Sequence, residues 1–342
     1  MRALVKHHRA FGAELQEVPI PTIGPDEVLI QVKCATMCGT DVHIYTWDDW
    51  AAGRVNPPYV FGHEFSGVVV EVGEKVTSVK PGDRVSAETH IVCGVCPPCR
   101  RGEAHVCLNT KIIGVDRDGC FAEYVAMPEQ NLWKVDDDRP FEIASVMEPM
   151  GNAVHTTLSG PVVGKKVAVI GCGPIGLMAI SVARAAGAAT VIALDVNAFR
   201  LDLANRMGAT QLIHSGRVDA VKEILSLTDG EGVDVVLEMS GHPTAIQQGF
   251  RVLTGGGRMA MLGLPTRPVE VDITQDIVFK GVTVHGITGR RMFETWEQTD
   301  GLLKTGAIDL EPLITHRLPL EEYEKAFELM MSGRCGKVVL YP

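Results

Sequence analysis

The sequence predicts an α/β protein of two domains, one mainly β and the other a doubly wound parallel sheet. Its 342 residues exceed the ~100–200 residues of a typical domain, so two domains are expected. Short β-type runs such as residues 28–33 and 68–72, separated by Gly-Pro and Lys-Pro-Gly-Asp turns, extend to about residue 150. From about residue 164 strands alternate with helices, which is typical of a parallel sheet covered on both faces.

The alternating region contains six predicted strands. Helices should follow the first two strands and end at Ala186 and Met207. Because each helix returns the chain to the same end of the sheet, we expect all six strands to be parallel. The strands are predicted at residues 167–170, 191–194, near 212, 233–237, 258–262 and 282–285.

The chain after residue 288 breaks this alternation. It contains an unusual segment at 290–296, an amphipathic stretch at 323–331 and a last apolar strand at 337–340. We therefore assign residues 1–150 and 289–342 to the mainly β domain, and residues 151–288 to the doubly wound domain.

Bulk composition excludes several classes of protein. With 46% hydrophobic and 22% charged residues, the chain has the composition of a globular enzyme. A formal net charge of −10 argues against nucleic-acid binding, which requires a basic face. The N-terminus lacks the apolar run of a signal peptide, and the uncharged segment 167–183 is shorter than the ~20 residues of a membrane span. Nine cysteines, four of them close together, favour metal binding in a reducing cytoplasm over disulfides.

A glycine-rich loop follows the first strand of the alternating region. In Gly171-Cys-Gly-Pro-Ile-Gly176 the glycines can make a tight turn and let a pyrophosphate approach a helix N-terminus. A glycine triplet alone is weak evidence, but here a strand precedes it, a helix follows it and an acidic residue ends the next strand. We predict a dinucleotide site in which Gly171, Gly173, Ile175 and Gly176 surround the pyrophosphate.

Asp195 is that acidic residue, and it indicates NAD rather than NADP. Its carboxylate can accept both ribose hydroxyls of NAD. A 2′-phosphate ~4 Å away would be repelled by about 4 kcal/mol per charge pair at an effective dielectric of ~20. Arg200 is expected to pack over the adenine or reach the ribose, with an ordinary solvated helix position as the alternative.

Two further strand ends reach the same edge of the predicted sheet. Their backbone is expected to flank the nicotinamide ring, because ligands bind outside the carboxyl ends of parallel strands. The residues concerned are Leu262, Gly263, Leu264, Gly286, Ile287 and Thr288.

Four cysteines, Cys93, Cys96, Cys99 and Cys107, lie within one short loop. Four thiolates are the ligand number of a closed tetrahedral zinc site. An iron–sulfur cluster is the alternative, but in its motif the fourth cysteine comes three residues after the third and is followed by proline. Here the gap is longer and Leu108 follows, so we predict a structural zinc in a lobe at about residues 90–110. The nearby histidines 90 and 105 are interpreted as loop residues.

Residues suited to a second metal are scattered through the first half of the chain. They are Cys38 in a Cys-Gly-Thr-Asp-Val-His string, the pair His63-Glu64, and Glu148 in Met-Glu-Pro-Met-Gly. None is decisive alone, since a lone histidine is more often a core residue and Glu-Pro is usually a turn. Together with the cysteine lobe and the glycine loop, in this order, they resemble the zinc-containing medium-chain dehydrogenases over essentially the whole chain.

That resemblance implies a GroES-like catalytic domain built from both ends of the chain and a Rossmann domain between them. It further implies that Cys38, His63 and Glu148 surround a catalytic zinc, which lowers the pKa of a substrate hydroxyl so that hydride can pass to NAD. Glu64 either enters the metal sphere or holds its geometry, and Glu148 is either a ligand or lies just outside. Cys34 is the alternative thiolate, but only Cys38 begins the matching string. Two zinc ions per chain are expected.

The same resemblance assigns a proton relay. Thr40 matches its hydroxyl, and His43 matches the imidazole that passes the proton to solvent. Histidine suits this role because its ordinary pKa lies near neutrality. A simple helix cap is the alternative interpretation of Thr40-Asp41.

Three long strings resemble one branch of the family, the members that oxidise threonine. They are residues 38–45 with two tryptophans behind them, 151–155 and 289–296. The resemblance implies L-threonine as a small-molecule substrate, oxidised at its β-hydroxyl, and the family habit implies a homotetramer. A polyol or butanediol dehydrogenase on the same scaffold is the nearest alternative. A zinc-free relative similar to quinone reductases or crystallins is a different class and should lack the catalytic metal residues.

Overall fold

The structure, a computed structural model, describes residues 1–342. Besides short 3₁₀ turns and one π-helical turn at Ile273–Val278, it contains 18 strands and 11 helices. The strands are β1 Arg2–Lys6, β2 Glu14–Glu17, β3 Glu27–Thr36, β4 Tyr59–Val60, β5 Glu64–Val72, β6 Arg84–Ala87, β7 His90–Ile91, β8 Lys111–Ile112, β9 Tyr124–Pro128, β10 Leu132–Lys134, β11 Lys166–Ile170, β12 Thr190–Asp195, β13 Gln211–His214, β14 Val233–Glu238, β15 Leu253–Met261, β16 Thr283–Gly286, β17 Ile314–Pro319 and β18 Lys337–Tyr341. The helices are α1 Gly39–Thr46, α2 Asp49–Arg54, α3 Pro97–Arg100, α4 Phe141–Ser145, α5 Met147–Thr157, α6 Pro174–Ala185, α7 Ala198–Arg206, α8 Ala220–Leu227, α9 Pro243–Val252, α10 Glu294–Lys304 and α11 Tyr323–Ser332.

The chain divides into two compact units. The first comprises Met1–Pro149 and Ile314–Pro342, and the second comprises Met150–Leu313, so the first boundary falls within α5. The second boundary differs from the one predicted at residue 289, because residues 289–313 belong to the second unit. The segment contacts the second unit at both of its ends: His155 Nδ1 on α5 donates to the carbonyl of Gly289 at 2.8 Å, and the turn Glu311–Leu313 packs against α6 and α7.

The first unit is mainly β, as predicted. Its largest sheet has seven strands in the order β10-β6-β5-β3-β18-β17, with β9 also paired to β3. β18 pairs antiparallel with β3, so strands from both ends of the chain lie side by side. Apolar side chains from the sheet and α11 form the core, with Phe61, Phe65, Phe121 and Phe327 among its fully buried members. This arrangement brings the end of β3 between β18 and the start of β5.

The second unit contains a six-stranded sheet in the order β13-β12-β11-β14-β15-β16, and every neighbouring pair is parallel. The prediction of six parallel strands in a doubly wound sheet is therefore confirmed. The strand order reverses at β11, where such sheets form a crevice outside the carboxyl ends of the strands. The uncharged segment 167–183 forms β11, a loop and α6. None of the helices has both the length and the apolar character needed to cross a membrane.

Candidate active site

The lobe between β7 and β8 gathers four cysteine sulfurs, all of them free of disulfides. The sulfur of Cys96 lies 3.4 Å from that of Cys99 and 3.8 Å from that of Cys107, and Cys107 lies 3.6 Å from Cys93. All four sulfurs lie within 4.8 Å of one another. β7 and β8 pair as a short antiparallel ribbon, which closes the base of the loop. The donor set and its geometry fit one tetrahedral zinc ion.

Hydrogen bonds within the lobe favour the thiolate form of Cys93 and Cys96, whereas burial raises the pKa of Cys99. The side-chain amide of Asn109 donates to the sulfur of Cys93 at 3.4 Å, and its backbone N–H donates to the sulfur of Cys107 at 3.3 Å. The bond from Asn109 is the main cause that lowers the pKa of Cys93 to about 6. A thiol with so low a pKa is mostly deprotonated at neutral pH, which lowers the cost of metal binding.

A second cluster forms where α1 begins beside β5. Cys38 is the residue before α1, and its backbone N–H donates to the Asp41 carboxylate at 2.8 Å, which fixes the start of the helix. His63 lies directly before β5, and Glu64 is its first residue. The candidate ligand atoms of Cys38, His63 and Glu64 lie within 4.8 Å of one another. The structure thus brings together three residues predicted around the catalytic metal.

Asp41 lies beside the imidazole ring of His63, and its carboxylate favours positive charge there. Its Oδ1 is 3.6 Å from Nδ1 of His63, and both atoms are buried without a hydrogen-bond partner. Burial opposes protonation of the imidazole, but Asp41 and Cys38 outweigh it and raise the pKa of His63 well above its usual value. A cation bound to the Cys38 sulfur and the His63 imidazole would be stabilised by the same negative charges. The site therefore fits a zinc ion.

Glu64 forms a fully buried ion pair with Lys337. Nζ of Lys337 donates to both carboxylate oxygens, at 2.6 Å to Oε1, and also to the Met37 carbonyl at 3.0 Å. The hydroxyl of Thr36 donates to Oε2. Although burial opposes the charged amine, the Glu64 carboxylate raises the pKa of Lys337. Each carboxylate oxygen can accept more than one bond, so this pairing leaves Glu64 able to face a metal.

Glu148 lies in a neighbouring cluster of acids. One ligand atom each of Glu88, His90 and Glu148 lie within 4.8 Å of one another, and the hydroxyl of Thr89 donates to Glu148. Glu88 is fully buried and its carboxylate lies 3.2 Å from Nδ1 of His90. His90 therefore lies in strand β7 beside the acids, whereas the sequence analysis interpreted it as a loop residue. Glu148 groups with these residues rather than with the Cys38 cluster.

Thr40 and His43 lie three residues apart on α1, a spacing that places side chains on one helix face. The Thr40 hydroxyl is 3.7 Å from the sulfur of Cys38. Nδ1 of the exposed His43 ring is 2.5 Å from Oδ2 of Asp48, whose other oxygen accepts the backbone N–H of Ala51 and so caps α2. The relay residues predicted from sequence thus begin next to the metal cluster and end at solvent.

The second unit has a cavity of about 480 Å³ at the carboxyl ends of β11, β12 and β14. Gly171, Gly173, Asp195 and Arg200 line it, as the sequence analysis predicted for a dinucleotide site. A side chain at Gly173 would meet nothing within 4 Å, so backbone there is open to a ligand. A side chain at Gly176 would lie 2.0 Å from the Gly171 carbonyl, because helix and loop approach closely. Gly176 therefore shapes the loop from behind, and neither it nor Ile175 lines the cavity.

Asp195 ends β12 and is held by two backbone donors. Oδ2 accepts the N–H of Cys172 at 2.7 Å, and Oδ1 accepts the N–H of Asn197 at 2.8 Å. Its position at the mouth of the glycine loop is the one required to meet a ribose.

The predicted nicotinamide-flanking segments lie at the carboxyl ends of β15 and β16 but do not line this cavity. Residues 262 and 263 donate their N–H groups to the Glu238 carbonyl at 2.9 and 3.1 Å. Ile287 N–H donates to the Met261 carbonyl at 2.9 Å. The contact of these segments with a cofactor remains a prediction.

Comparisons with known proteins show the family of this chain. The family model described as Alcohol dehydrogenase GroES-like domain matches residues 24–137, and that described as Zinc-binding dehydrogenase matches residues 174–305. A Bacillus licheniformis protein named L-threonine 3-dehydrogenase is 62% identical, with 100% of this chain and 99% of the relative covered. One of the same name from Bacillus velezensis is 59% identical at the same coverage. The chain belongs to the zinc-binding alcohol dehydrogenase family.

Solved structures of the family share the whole fold of this dehydrogenase. A zinc-binding dehydrogenase from Sinorhizobium meliloti bound to NADP has a TM-score of 0.92 and 31% identity, covering 100% of this chain and 99% of its own. An Escherichia coli protein described as a short chain alcohol dehydrogenase, complexed with NADH, has a TM-score of 0.92 and 29% identity at the same coverage. 2R,3R-butanediol dehydrogenase from Bacillus subtilis has a TM-score of 0.90, 30% identity and the same coverage. The predicted GroES-like and Rossmann architecture is confirmed, and the neighbours carry nicotinamide cofactors of both kinds.

Several site residues of the dehydrogenase escaped the sequence analysis. Asp41 was named only as part of a possible helix cap, and it does bond back to the backbone of Cys38, but its contact with His63 was not predicted. Glu88 and Lys337 had none, since each is a single charged residue that meets a distant acid only in the folded chain: Glu88 lies near Glu148 of α5, and Lys337 pairs with Glu64 of β5.

Proposed function

We propose that this dehydrogenase oxidises L-threonine at its β-hydroxyl to 2-amino-3-oxobutanoate and transfers hydride to NAD. The observation that carries the choice of substrate is the 62% identity, over the whole chain, with a protein named L-threonine 3-dehydrogenase. The three strings at residues 38–45, 151–155 and 289–296 support the same choice.

Two zinc ions per chain are proposed, one in the cysteine lobe and one at the Cys38 cluster. At the second site Cys38 and His63 are proposed as ligands, with Glu64 as a further carboxylate of the metal sphere. Glu148, which groups with Glu88 and His90, is proposed to lie outside that sphere. When bound there, zinc supplies a Lewis acid that lowers the pKa of the substrate hydroxyl. Asp41 orients the His63 ring from behind, because it fixes which ring nitrogen faces the metal.

The acid cluster around Glu148 suits the ammonium group of an amino-acid substrate. Glu88 and Glu148 place two carboxylates close together, and both are buried. A substrate ammonium would offset part of their mutual repulsion, which an uncharged polyol cannot do. This distinction favours L-threonine over the alternative substrates.

The proton of the substrate hydroxyl is proposed to leave through Thr40 and His43. The Thr40 hydroxyl can both accept and donate a proton, and its place beside Cys38 puts it next to the proposed metal. His43 is more than half exposed and can release the proton to water.

Asp48→Asn is expected to lower kcat about 10-fold while KM for L-threonine changes by less than about 2-fold. Asparagine still caps α2, but it loses the charge that fixes the tautomer of His43. The measurement is kcat against pH, together with KM at one pH. Asp49→Asn is the matched control, since Asp49 is the exposed next residue. An equal loss of kcat in both variants would show that Asp48 does not contribute to the relay.

NAD is proposed as the cofactor rather than NADP, because the Asp195 carboxylate ends β12 at the edge of the cavity. Asp195→Asn is expected to raise the ratio of kcat/KM with NADP to that with NAD by about 10–100-fold. Removing the charge removes repulsion of the 2′-phosphate, and it also weakens the acceptor for the ribose hydroxyls. Asp202→Asn, at an exposed position on α7, should leave the ratio unchanged. An unaltered ratio in Asp195→Asn would contradict the assignment.

A cytoplasmic homotetramer is proposed. The edge strand β16 and the turn before it expose apolar side chains, including Val278 at 62% and Phe279 at 73%. Exposed apolar groups at a sheet edge are typical of association surfaces. All nine cysteines are free of disulfides, which suits a reducing compartment. Light scattering of the purified protein measures the oligomeric state directly.

Steady-state rates with L-threonine, sorbitol and 2,3-butanediol test the proposed substrate. We expect kcat/KM to be highest with L-threonine, and about two zinc atoms per chain by metal analysis. Turnover of sorbitol or butanediol without turnover of L-threonine would transfer the assignment to the polyol or butanediol dehydrogenases.

A further inference from the structure

Glu238 is a fully buried acid in the second unit that neither zinc site nor relay uses. It ends the central strand β14 and is paired in register with Ile170 of β11 and Met261 of β15. The glycine loop begins directly after Ile170, and the segment 262–264 begins directly after Met261. Glu238 thus lies between two loops at one edge of the sheet, of which the glycine loop lines the cofactor cavity.

The side chain of Glu238 holds the turn that follows its own strand. Its Oε1 accepts the backbone N–H of Ser240 at 2.9 Å, the hydroxyl of Ser240, and the N–H of Gly241 at 3.0 Å. Its Oε2 lies 3.2 Å from the same Gly241 N–H. The hydrogen bonds from these N–H and O–H donors to the buried carboxylate are charge-assisted, and only a group that accepts hydrogen bonds can replace it.

Close backbone contacts place this turn between the two loops. A Cβ added at Gly171 would lie 2.9 Å from the backbone nitrogen of Ser240, so the glycine loop touches one side of the turn. A Cβ added at Gly241 would lie 2.5 Å from the carbonyl oxygen of Leu264, which touches the other side. A Cβ at Gly263 would lie 2.5 Å from Oε2 of Glu238 itself. Any movement of the turn therefore displaces the glycine loop or the segment 262–264.

Ser240 lines the cofactor cavity, and Glu238 lies behind it. We propose that Glu238 is a positioning residue for the cofactor: by fixing the Ser240–Gly241 turn between the glycine loop and residues 262–264, it sets the affinity for NAD. The inference rests on the proposed NAD-dependent function. A cavity wall that is already in place binds its ligand without an ordering cost, so loosening the turn weakens NAD binding rather than chemistry.

Glu238→Gln in the zinc-loaded protein is the test, with NAD affinity measured by titration calorimetry. Glutamine has nearly the same shape, but its NH₂ group brings a donor to a place surrounded by donors. We expect the Kd for NAD to rise about 10-fold, while kcat at saturating NAD and KM for L-threonine change by less than about 2-fold. The matched control is Asp234→Asn on the same strand, where the carboxylate accepts the N–H of Lys166 at 2.8 Å. It should leave the Kd for NAD unchanged.

Ser240→Ala provides a second variant if Glu238→Gln does not fold. It removes one donor to Glu238 without leaving a buried charge unpaired, and the Kd for NAD should rise about 3-fold. The inference is overturned if Glu238→Gln, or Ser240→Ala where the first is unfolded, binds NAD as tightly as the unaltered protein. It is also overturned if Asp234→Asn weakens binding equally. Failure of the unaltered protein to bind NAD would instead overturn the proposed function.

Discussion

Cys38→Ala is expected to lower kcat/KM for L-threonine about 1000-fold or more and to remove one of the two zinc ions. The reason is that Lewis-acid activation is worth several kcal/mol, and each 1.36 kcal/mol corresponds to a factor of ten. Cys38 lies half-buried at the start of α1, so alanine leaves no large cavity there. Metal analysis and steady-state kinetics on the same preparation measure both effects.

Cys34→Ala is the matched control for this prediction. Cys34 is a buried thiol on β3, 3.4 Å from the Ser66 hydroxyl, and it belongs to none of the three clusters suited to a metal. Burial raises its pKa to about 11, so the thiol is protonated at neutral pH. We expect both zinc ions and most of the activity to survive. Loss of zinc from Cys34→Ala but not from Cys38→Ala would show that Cys34, and not Cys38, is the metal ligand.

Lys337→Met is expected to lower the free energy of unfolding by about 3–5 kcal/mol, because it leaves the buried Glu64 carboxylate without its counterion. The exposed fraction of the side chain is 3% for Lys337 and 0% for Glu64, so water cannot replace the lost amine. Urea denaturation of the zinc-loaded protein measures the change.

Two further variants separate loss of the ion pair from loss of a side chain. Adding Glu64→Gln to Lys337→Met should recover much of the stability, since no charge then remains buried. Lys325→Met breaks an exposed pair with Glu322 and should cost only about 0–1 kcal/mol. Equal losses from Lys337→Met and Lys325→Met would show that Glu64 has another source of compensation.

The second unit could be predicted largely from sequence because its pattern is local. Each strand and the following helix carry their own apolar periodicity, and the glycine loop marks the point where the first of them meets the cofactor. The boundary at Leu313 could not be predicted in this way. It depends on contacts between distant parts of the chain: His155 bonds to Gly289, 134 residues away, and residues 311–313 pack against α6 and α7.

The same distinction separates the two metal clusters. The cysteine lobe can be predicted from spacing, because its four ligands come from one short loop. Residues so close in sequence cannot place their sulfurs far apart. Glu64 and Lys337 are 273 residues apart, and nothing in the sequence around either residue indicates that the two side chains meet. Their pairing follows from the antiparallel alignment of β18 with β3, which only the folded sheet reveals.

The division of the first unit between two stretches of chain has a consequence for its synthesis. A ribosome makes residues 150–313 before residues 314–342, so the parallel sheet can be complete while β17 and β18 are still missing. During that interval the Glu64 carboxylate lacks the amine that neutralises it in the finished sheet. The unit that begins first in translation therefore cannot be completed until the chain is almost finished, because Lys337, the partner of Glu64, lies in β18.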